Sequence, residues 1–350
     1  MPGLAERSST ESDNRANKTK CTVSPYLCFG SQLPRLFFHG TFQREHRKQR
    51  DAGGCSLSIE EAKLRHRQVK VNGDAIFFRE DGPADAPVLL LPHGYPCSSY
   101  QFRRLMPGLA DRWHTFAPDF PGFGYSATPD MAAFGYDFDA YAGFLAAFAD
   151  ALGLSRYALW LHDYGSQIGL RHAIAYPERV AALIIQNGDI YEDVLGPKYA
   201  AIKMYWNDKT SEKHRPLEDA VSEEGFRHEF IGEVGEAVAE RVPPDLWKLH
   251  WPLMDTPARR RLAVGLMEKL EGNLNWFPKY QAYLRKRQPP TLIVWGPEDG
   301  YMPAASARAY KRDLPQAEFH LLDGAGHWLL ETHFDEALAL VRDFLARVHG

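Results

Sequence analysis

Leu159-Trp160-Leu161-His162-Asp163-Tyr164-Gly165-Ser166 is an apolar run too short for a helix that enters a glycine-containing turn, after which Gln167 to Tyr176 carry a helical period. A sharp strand-to-helix turn lifts one side chain above a sheet edge, and the helix N-terminus behind it favours negative charge there. The side chain so placed is Asp163. Taken alone, the octapeptide also reads as an N-cap aspartate opening a helix, so its surroundings decide. No Gly-x-Ser-x-Gly occurs in the chain, which argues against a serine esterase.

Moving outward, short apolar runs each followed by a helical period recur at Val88 to Leu91, Thr115 to Pro118, Tyr157 to Leu161, Ala181 to Gln186, Thr291 to Trp295 and Phe319 to Leu322. Strands apolar on both faces and alternating with helices predict an α/β fold, a mostly parallel sheet covered on both sides. Gln68 to Val71 and Ala75 to Arg79 flank Asn72-Gly73, a strong hairpin signal, so an antiparallel ribbon opens the domain. Between Asn187 and about Phe277 the alternation stops, and the interval is helical and aromatic without a convincing strand. It reads as an inserted helical cap. Leaving the carboxyl end of a sheet strand, it is expected over the crevice where open α/β sheets bind ligands, where it would exclude water.

The expected division is a flexible extension over 1–60, a core over 61–187 and 278–350, and the cap over 188–277. The extension is rich in Ser, Thr, Asn, Arg and Lys without a sustained apolar period. Over the whole chain, 45% hydrophobic and 25% charged residues with a net charge of -4 describe a globular protein without the basic excess of a nucleic-acid binder. A small-molecule substrate is the expected partner; the oligomeric state is left open. The four cysteines, Cys21, Cys28, Cys55 and Cys97, form no CxxC pair, so neither a disulfide framework nor a metal site is expected. No basic segment followed by an apolar stretch opens the chain, and no apolar run is long enough for a bilayer. The expectation is a cytoplasmic protein with no membrane span.

Two further segments bear on Asp163. Leu89-Leu90-Leu91-Pro92-His93-Gly94-Tyr95-Pro96 is an apolar strand ending in a His-Gly turn, where the amide of Tyr95 can point into a site beside the amide of Tyr164 as a two-donor oxyanion hole. Asp119-Phe120-Pro121-Gly122-Phe123-Gly124-Tyr125-Ser126 follows the next strand and reads as a structural turn. Late in the chain, Gly324-Ala325-Gly326-His327 follows the strand Phe319 to Leu322, and Gly296-Pro297-Glu298-Asp299 follows the strand ending at Trp295.

With these segments in hand, the chain from about Arg67 to Val348 resembles the α/β-hydrolase superfamily, and within it the epoxide hydrolase and haloalkane dehalogenase group. The resemblance rests on His93-Gly94-Tyr95-Pro96, the turn at 119–124, His162-Asp163-Tyr164-Gly165, Val294-Trp295-Gly296 with Asp299, and Gly326-His327. The family usually has a small residue two before the nucleophile, and Leu161 departs from that. The resemblance implies Asp163 as a nucleophile that attacks an alkyl carbon to form an ester, His327 as the base for its hydrolysis, and Asp299 as the acid orienting the histidine. Glu298 and Asp189 are alternatives for the acid. No organic cofactor or metal is implied.

The resemblance also frames the leaving group. Epoxide opening in this group uses cap tyrosines, for which Tyr205 beside Trp206 is a candidate. A second is expected near Leu274-Asn275-Trp276-Phe277, where Phe277 stands in the tyrosine's place and cannot donate a proton; Tyr280 or Tyr283 would then substitute. Tyr205, Trp206, Phe277 and Tyr280 are accordingly the expected substrate-binding residues, with helix packing the competing reading for each. Dehalogenases hold the halide with indole or amide donors, and here Tyr164 and Tyr95 stand where such donors are common, leaving Trp206, Trp247, Trp251 or Trp276. An epoxide hydrolase-like enzyme acting on an uncharged, apolar substrate is the first expectation. Haloalkane dehalogenation is the second. A ligand-binding protein without turnover is the third.

Overall fold

The computed structural model describes residues 64–348; the expected extension over 1–60 lies outside the described residues. Eight strands form one sheet: β1 Arg65–Val71, β2 Asp74–Asp81, β3 Val88–Leu90, β4 His114–Pro118, β5 Tyr157–His162, β6 Val180–Gln186, β7 Thr291–Trp295 and β8 Glu318–Leu321. Their order is β1-β2-β4-β3-β5-β6-β7-β8. β1 pairs antiparallel with β2 and β2 with β4, while every other neighbour is parallel. The opening ribbon turns at Asn72 (φ 52°) and Gly73 (φ 96°), the two positive φ values that a tight hairpin requires.

The helices are α1 Leu105–Leu109, α2 Phe138–Ala151, α3 Tyr164–Ala175, α4 Tyr199–Asn207, α5 Ser211–Ala220, α6 Glu223–Ile231, α7 Glu236–Ala239, α8 Asp245–Met254, α9 Pro257–Leu274, α10 Phe277–Arg287, α11 Ala304–Ala309, α12 Leu329–Thr332 and α13 Phe334–Val348. All of α4 to α10 fall between β6 and β7, so the helical interval is an insertion into the sheet's connectivity. Strand alternation sorts the core into two layers. Ala158 and Trp160 of β5 join Leu292, Val294, Val341 and Phe344 on one face. Leu159 and Leu161 join Phe144, Phe148, Ile168 and Leu183 on the other. Both layers are buried, as the apolar strands require.

Candidate active site

The central strands end together, and their carboxyl ends carry the residues singled out in the sequence. Asp163, between β5 and α3, adopts φ 50° and ψ -128°, a conformation that costs a residue with a Cβ about 1–3 kcal/mol. The turn is held from both sides: the Asp163 amide donates to the Asn187 carbonyl at 3.0 Å, and the Ser166 amide donates to the Asp163 carbonyl at 3.0 Å. Close approach explains two glycines. A Cβ on Gly94 would come within 2.7 Å of Asp163 Cβ, and one on Gly165 within 2.5 Å of the Pro92 carbonyl oxygen. Leu161 fits two residues ahead of Asp163 because its side chain packs down onto Gly169 of α3, where a Cβ would come within 2.4 Å of Leu161 Cδ2.

The Tyr95 amide donates to Asp163 Oδ1 at 2.5 Å, and the Tyr164 amide bonds the same carboxylate. His327 lies opposite. Its Nε2 stands 3.8 Å from Asp163 Oδ2 and has no hydrogen-bond partner, while its Nδ1 is 2.6 Å from Asp299 Oδ2. Asp299 is completed by the amides of Tyr301 (2.8 Å) and Met302 (3.0 Å) on Oδ1 and by Asn187 Nδ2 (2.8 Å) on Oδ2. Neither Glu298 nor Asp189 forms a hydrogen bond or ion pair with the His327 side chain, whose ion pairs are with Asp299 and Asp163. His162 steadies the histidine from below, with Gln101 on its Nδ1 at 2.8 Å and the His327 carbonyl on its Nε2 at 3.1 Å.

Burial pushes Asp163 above the ordinary carboxylate range, opposed by His327 and the two amides. Burial alone would lower His327, but Asp299 at hydrogen-bond distance, with Asp163 and Glu229 nearby, raises it well above the usual histidine value. Asp299, although buried, is held below the ordinary aspartate value by His327 and its donors. The arrangement therefore favours the protonated form of the His327 imidazole between two carboxylates. Only one of those carboxylates, Asp163, faces open space.

That space is a cavity of about 140 Å³, walled in part by Asp163, Tyr164, Tyr199, Phe226, Glu229 and Tyr301. Helices α4, α6 and α9 supply much of the wall, so the insertion lies over Asp163. Beside it Lys198 Nζ sits 2.9 Å from Glu233 Oε1, 3.6 Å from Glu229 Oε2 and 4.6 Å above the Tyr301 ring. The cavity thus combines apolar walls with one ion pair and four phenols, those of Tyr95, Tyr164, Tyr199 and Tyr301.

The expected substrate-binding residues of the insertion are not brought to this cavity. Tyr205 points away toward Glu268, 3.5 Å from its hydroxyl, and His214. On α4 the inward face is Tyr199, Ile202 and Trp206, and at about 100° per residue the helix turns Tyr205 off that face. Trp206 is buried against Tyr199, 6.3 Å between centroids, behind the cavity wall. Phe277 lines a separate groove with Tyr191 and Asp313. Tyr280 anchors α10 to α3, its hydroxyl accepting from Arg171 Nε at 2.9 Å and donating to the Gln167 carbonyl at 3.3 Å. Tyr283 and the indoles of Trp247, Trp251 and Trp276 are likewise outside the cavity lining. Asn187, Lys198, Tyr199, Glu229 and Tyr301 were not singled out by their sequence context; the spacing Tyr199, Ile202, Trp206 was the available signal for Tyr199.

Among the described residues no cluster of three or more His, Cys, Asp or Glu is arranged to hold a metal ion, and no helix is long and apolar enough to cross a membrane.

A family model for the alpha/beta hydrolase fold matches residues 87–334. An uncharacterized hydrolase of Saccharomyces cerevisiae is 32% identical over 275 residues, covering 77% of this chain and 92% of the relative. A cis-3-alkyl-4-alkyloxetan-2-one decarboxylase of Xanthomonas campestris is 26% identical over 287 residues, 79% of this chain and 93% of that protein. Haloalkane dehalogenase 2 of Mycobacterium bovis is 28% identical over 263 residues, 73% and 86%. With its mostly parallel eight-stranded sheet, the matched model and relatives that align along nearly their whole length, the chain belongs to the α/β-hydrolase family, as an enzyme whose relatives include haloalkane dehalogenases.

Proposed function

We propose that the protein is a hydrolase in which Asp163 is the nucleophile, His327 the base and Asp299 the acid that orients it, acting on a largely apolar epoxide through an alkyl-enzyme ester under a helical cap formed by residues 188–277. Asp163 Oδ1 is held by the amide of Tyr95, with the Tyr164 amide on the same carboxylate, and Oδ2, on the His327 side, is the attacking oxygen. Attack on a ring carbon breaks the carbon–oxygen bond and leaves an alkoxide in the same molecule. Oδ1 then becomes the ester carbonyl, already bonded by the Tyr95 amide with the Tyr164 amide beside it, so water attack on Cγ builds its negative charge where backbone donors point. His327 Nε2, unpartnered and beside Oδ2, takes the water's proton.

The observation that carries the leaving-group assignment is the polar lining. Four phenols and no indole line the cavity, and burial raises all four phenols well above their ordinary value. Such groups keep their protons at neutral pH and can yield one to a strongly basic alkoxide, whereas a halide needs no proton. The oxetanone named for the Xanthomonas campestris relative is also a strained oxygen ring. Haloalkane cleavage is the second reading, favoured by the Mycobacterium bovis relative.

A panel of styrene oxide, 1-bromohexane and p-nitrophenyl acetate tests the assignment, with diol, bromide and nitrophenol as readouts. Diol formation with the highest kcat/KM is expected. Bromide release exceeding diol formation would replace the epoxide reading by the dehalogenase one.

A further inference from the structure

The cavity wall holds one carboxylate that no protein donor satisfies. Glu229, on α6, lines the same cavity as Asp163, and its side chain is 15% exposed. Its backbone carbonyl accepts from Trp328 Nε1 at 3.1 Å, which ties this turn of α6 to the residue after His327. Among the described residues no hydrogen-bond donor is placed on the carboxylate itself; its ion-pair partner, Lys198 Nζ, is 3.6 Å from Oε2. That ammonium stands closer to Glu233, 2.9 Å from Oε1, lies over the Tyr301 ring and is buried. Glu233 is itself fixed, its Oε2 accepting from the Gly300 amide at 2.8 Å. One ammonium therefore serves two carboxylates, and the one left short of donors faces the reaction space. Burial raises Glu229 above the ordinary glutamate value, opposed by Lys198 and then by His327.

A carboxylate in this position needs a donor. Water can serve it in the free enzyme, but a substrate that fills the cavity displaces such water and must replace its hydrogen bond or bind more weakly. The rest of the wall selects which donor. Ile202, Phe226, Met267 and Leu270 suit a hydrocarbon chain. A carboxylate on that chain would meet Glu229 and Asp163 as like charges. An ammonium would give up its hydration in an apolar cavity with Lys198 close to Glu229. An ether or a bare alkyl end donates nothing. A hydroxyl donates without bringing a charge, and its bond to an ionised acceptor is of the stronger kind. We propose that Glu229 is a specificity residue whose carboxylate accepts a hydrogen bond from a substrate hydroxyl remote from the reacting carbon, so that epoxides bearing an alcohol are preferred to those ending in an alkyl group or a carboxylate. The proposal deepens the epoxide reading given above and rests on it.

The test compares kcat/KM for diol formation by the full-length protein from matched epoxides. One set is 1,2-epoxyhexane, 5,6-epoxyhexan-1-ol and 5,6-epoxyhexanoic acid; the longer set is 1,2-epoxyoctane, 7,8-epoxyoctan-1-ol and 7,8-epoxyoctanoic acid. In the wild type the alcohol should exceed the alkyl epoxide by about 10-fold in at least one set, the scale of one hydrogen bond to a charged acceptor, and the acid should fall below the alkyl epoxide in both. Glu229→Gln keeps the shape, removes the charge and adds a donor. The ratio of acid to alkyl epoxide should then rise by about 10-fold as the like charge is lost, and the ratio of alcohol to alkyl epoxide should fall. Ratios taken within one protein cancel any loss common to all substrates, and the wild-type ratios decide alone if the variant does not fold. Wild-type ratios near one, acids turned over faster than alkyl epoxides, or ratios unmoved in Glu229→Gln would overturn the assignment of Glu229. Diol from none of these epoxides would instead overturn the epoxide reading, and the hydroxyl preference with it.

Discussion

His327 Nε2 stands 3.8 Å from Asp163 Oδ2 while its other nitrogen is bonded to Asp299 at 2.6 Å. The histidine therefore has one permanent carboxylate and one that the reaction consumes. Ester formation cancels the charge on Asp163, one of the groups that hold the His327 proton, at the point where the imidazole must become a base.

The two half-reactions should accordingly respond to acid at different pH. Ester formation needs Asp163 ionised and should fall as pH drops through its raised value of about 6. Ester hydrolysis needs neutral His327 and should fall at a higher pH than formation does, so ester accumulates at intermediate pH. Single-turnover rapid quench across the acid and neutral range measures both rates. Hydrolysis that is flat where formation declines would contradict the order.

The two close-packed glycines should fail in different ways. In Gly165→Ala the new Cβ meets the backbone oxygens of Pro92 at 2.5 Å and His93 at 2.9 Å, so the chain itself has to move, at a cost of about 1–3 kcal/mol. In Gly94→Ala it meets Asp163 Cβ at 2.7 Å and Oδ1 at 3.0 Å, so the nucleophile's own turn is displaced, and misplacement of that size costs about 10²-fold in rate. Calorimetry and kcat on the two variants separate the effects. A Gly94→Ala protein with near wild-type kcat would mean that the carboxylate position is not critical.

Asn187 ties three strands' ends together. Its Nδ2 donates to Asp299 Oδ2 and to the Gly296 carbonyl, its Oδ1 accepts from the Gly296 amide, and its own φ is 38°. Asn187→Ala removes these bonds in a buried site and keeps an unfavourable φ, with an expected loss of about 2–4 kcal/mol. Asp299 also loses a donor, so kcat should fall with stability. Denaturation by urea that shifts by less than about 0.5 kcal/mol, the range of ordinary surface changes, would show that the network relaxes without it.

The readings that succeeded at sequence level were those carried by local chain physics. Short apolar runs and Asn72-Gly73 mark β1 to β8 within a residue or two at most ends, because in β3 to β7 burial on both faces leaves little choice of residue and the turn marks the β1–β2 ribbon. The positions of Asp163 and His327 at the strand ends are legible because a strand-to-turn junction fixes where a side chain goes. The cavity wall is different, because α4, α6, α8 and α10 each carry aromatics and composition does not say which face turns inward. Tyr205 beside Trp206 is the candidate the sequence offers, but the inward face of α4 is Tyr199, Ile202 and Trp206, and adjacent residues on a helix point about 100° apart. Lys198 and Glu229 were invisible because a charged pair on a helix ordinarily faces solvent; only the packing of α4 and α6 over the sheet encloses them.

The central claim is that Asp163 itself bonds to the substrate, and oxygen-18 labelling tests it most directly. With enzyme in excess over styrene oxide in labelled water, a covalent route delivers an Asp163 oxygen to the first-turnover diol and puts solvent oxygen into the carboxylate when water attacks Cγ. The account predicts unlabelled diol and a labelled Asp163 peptide. Labelled diol with an unlabelled peptide would mean that Asp163 activates a water instead, and the nucleophile assignment would be wrong.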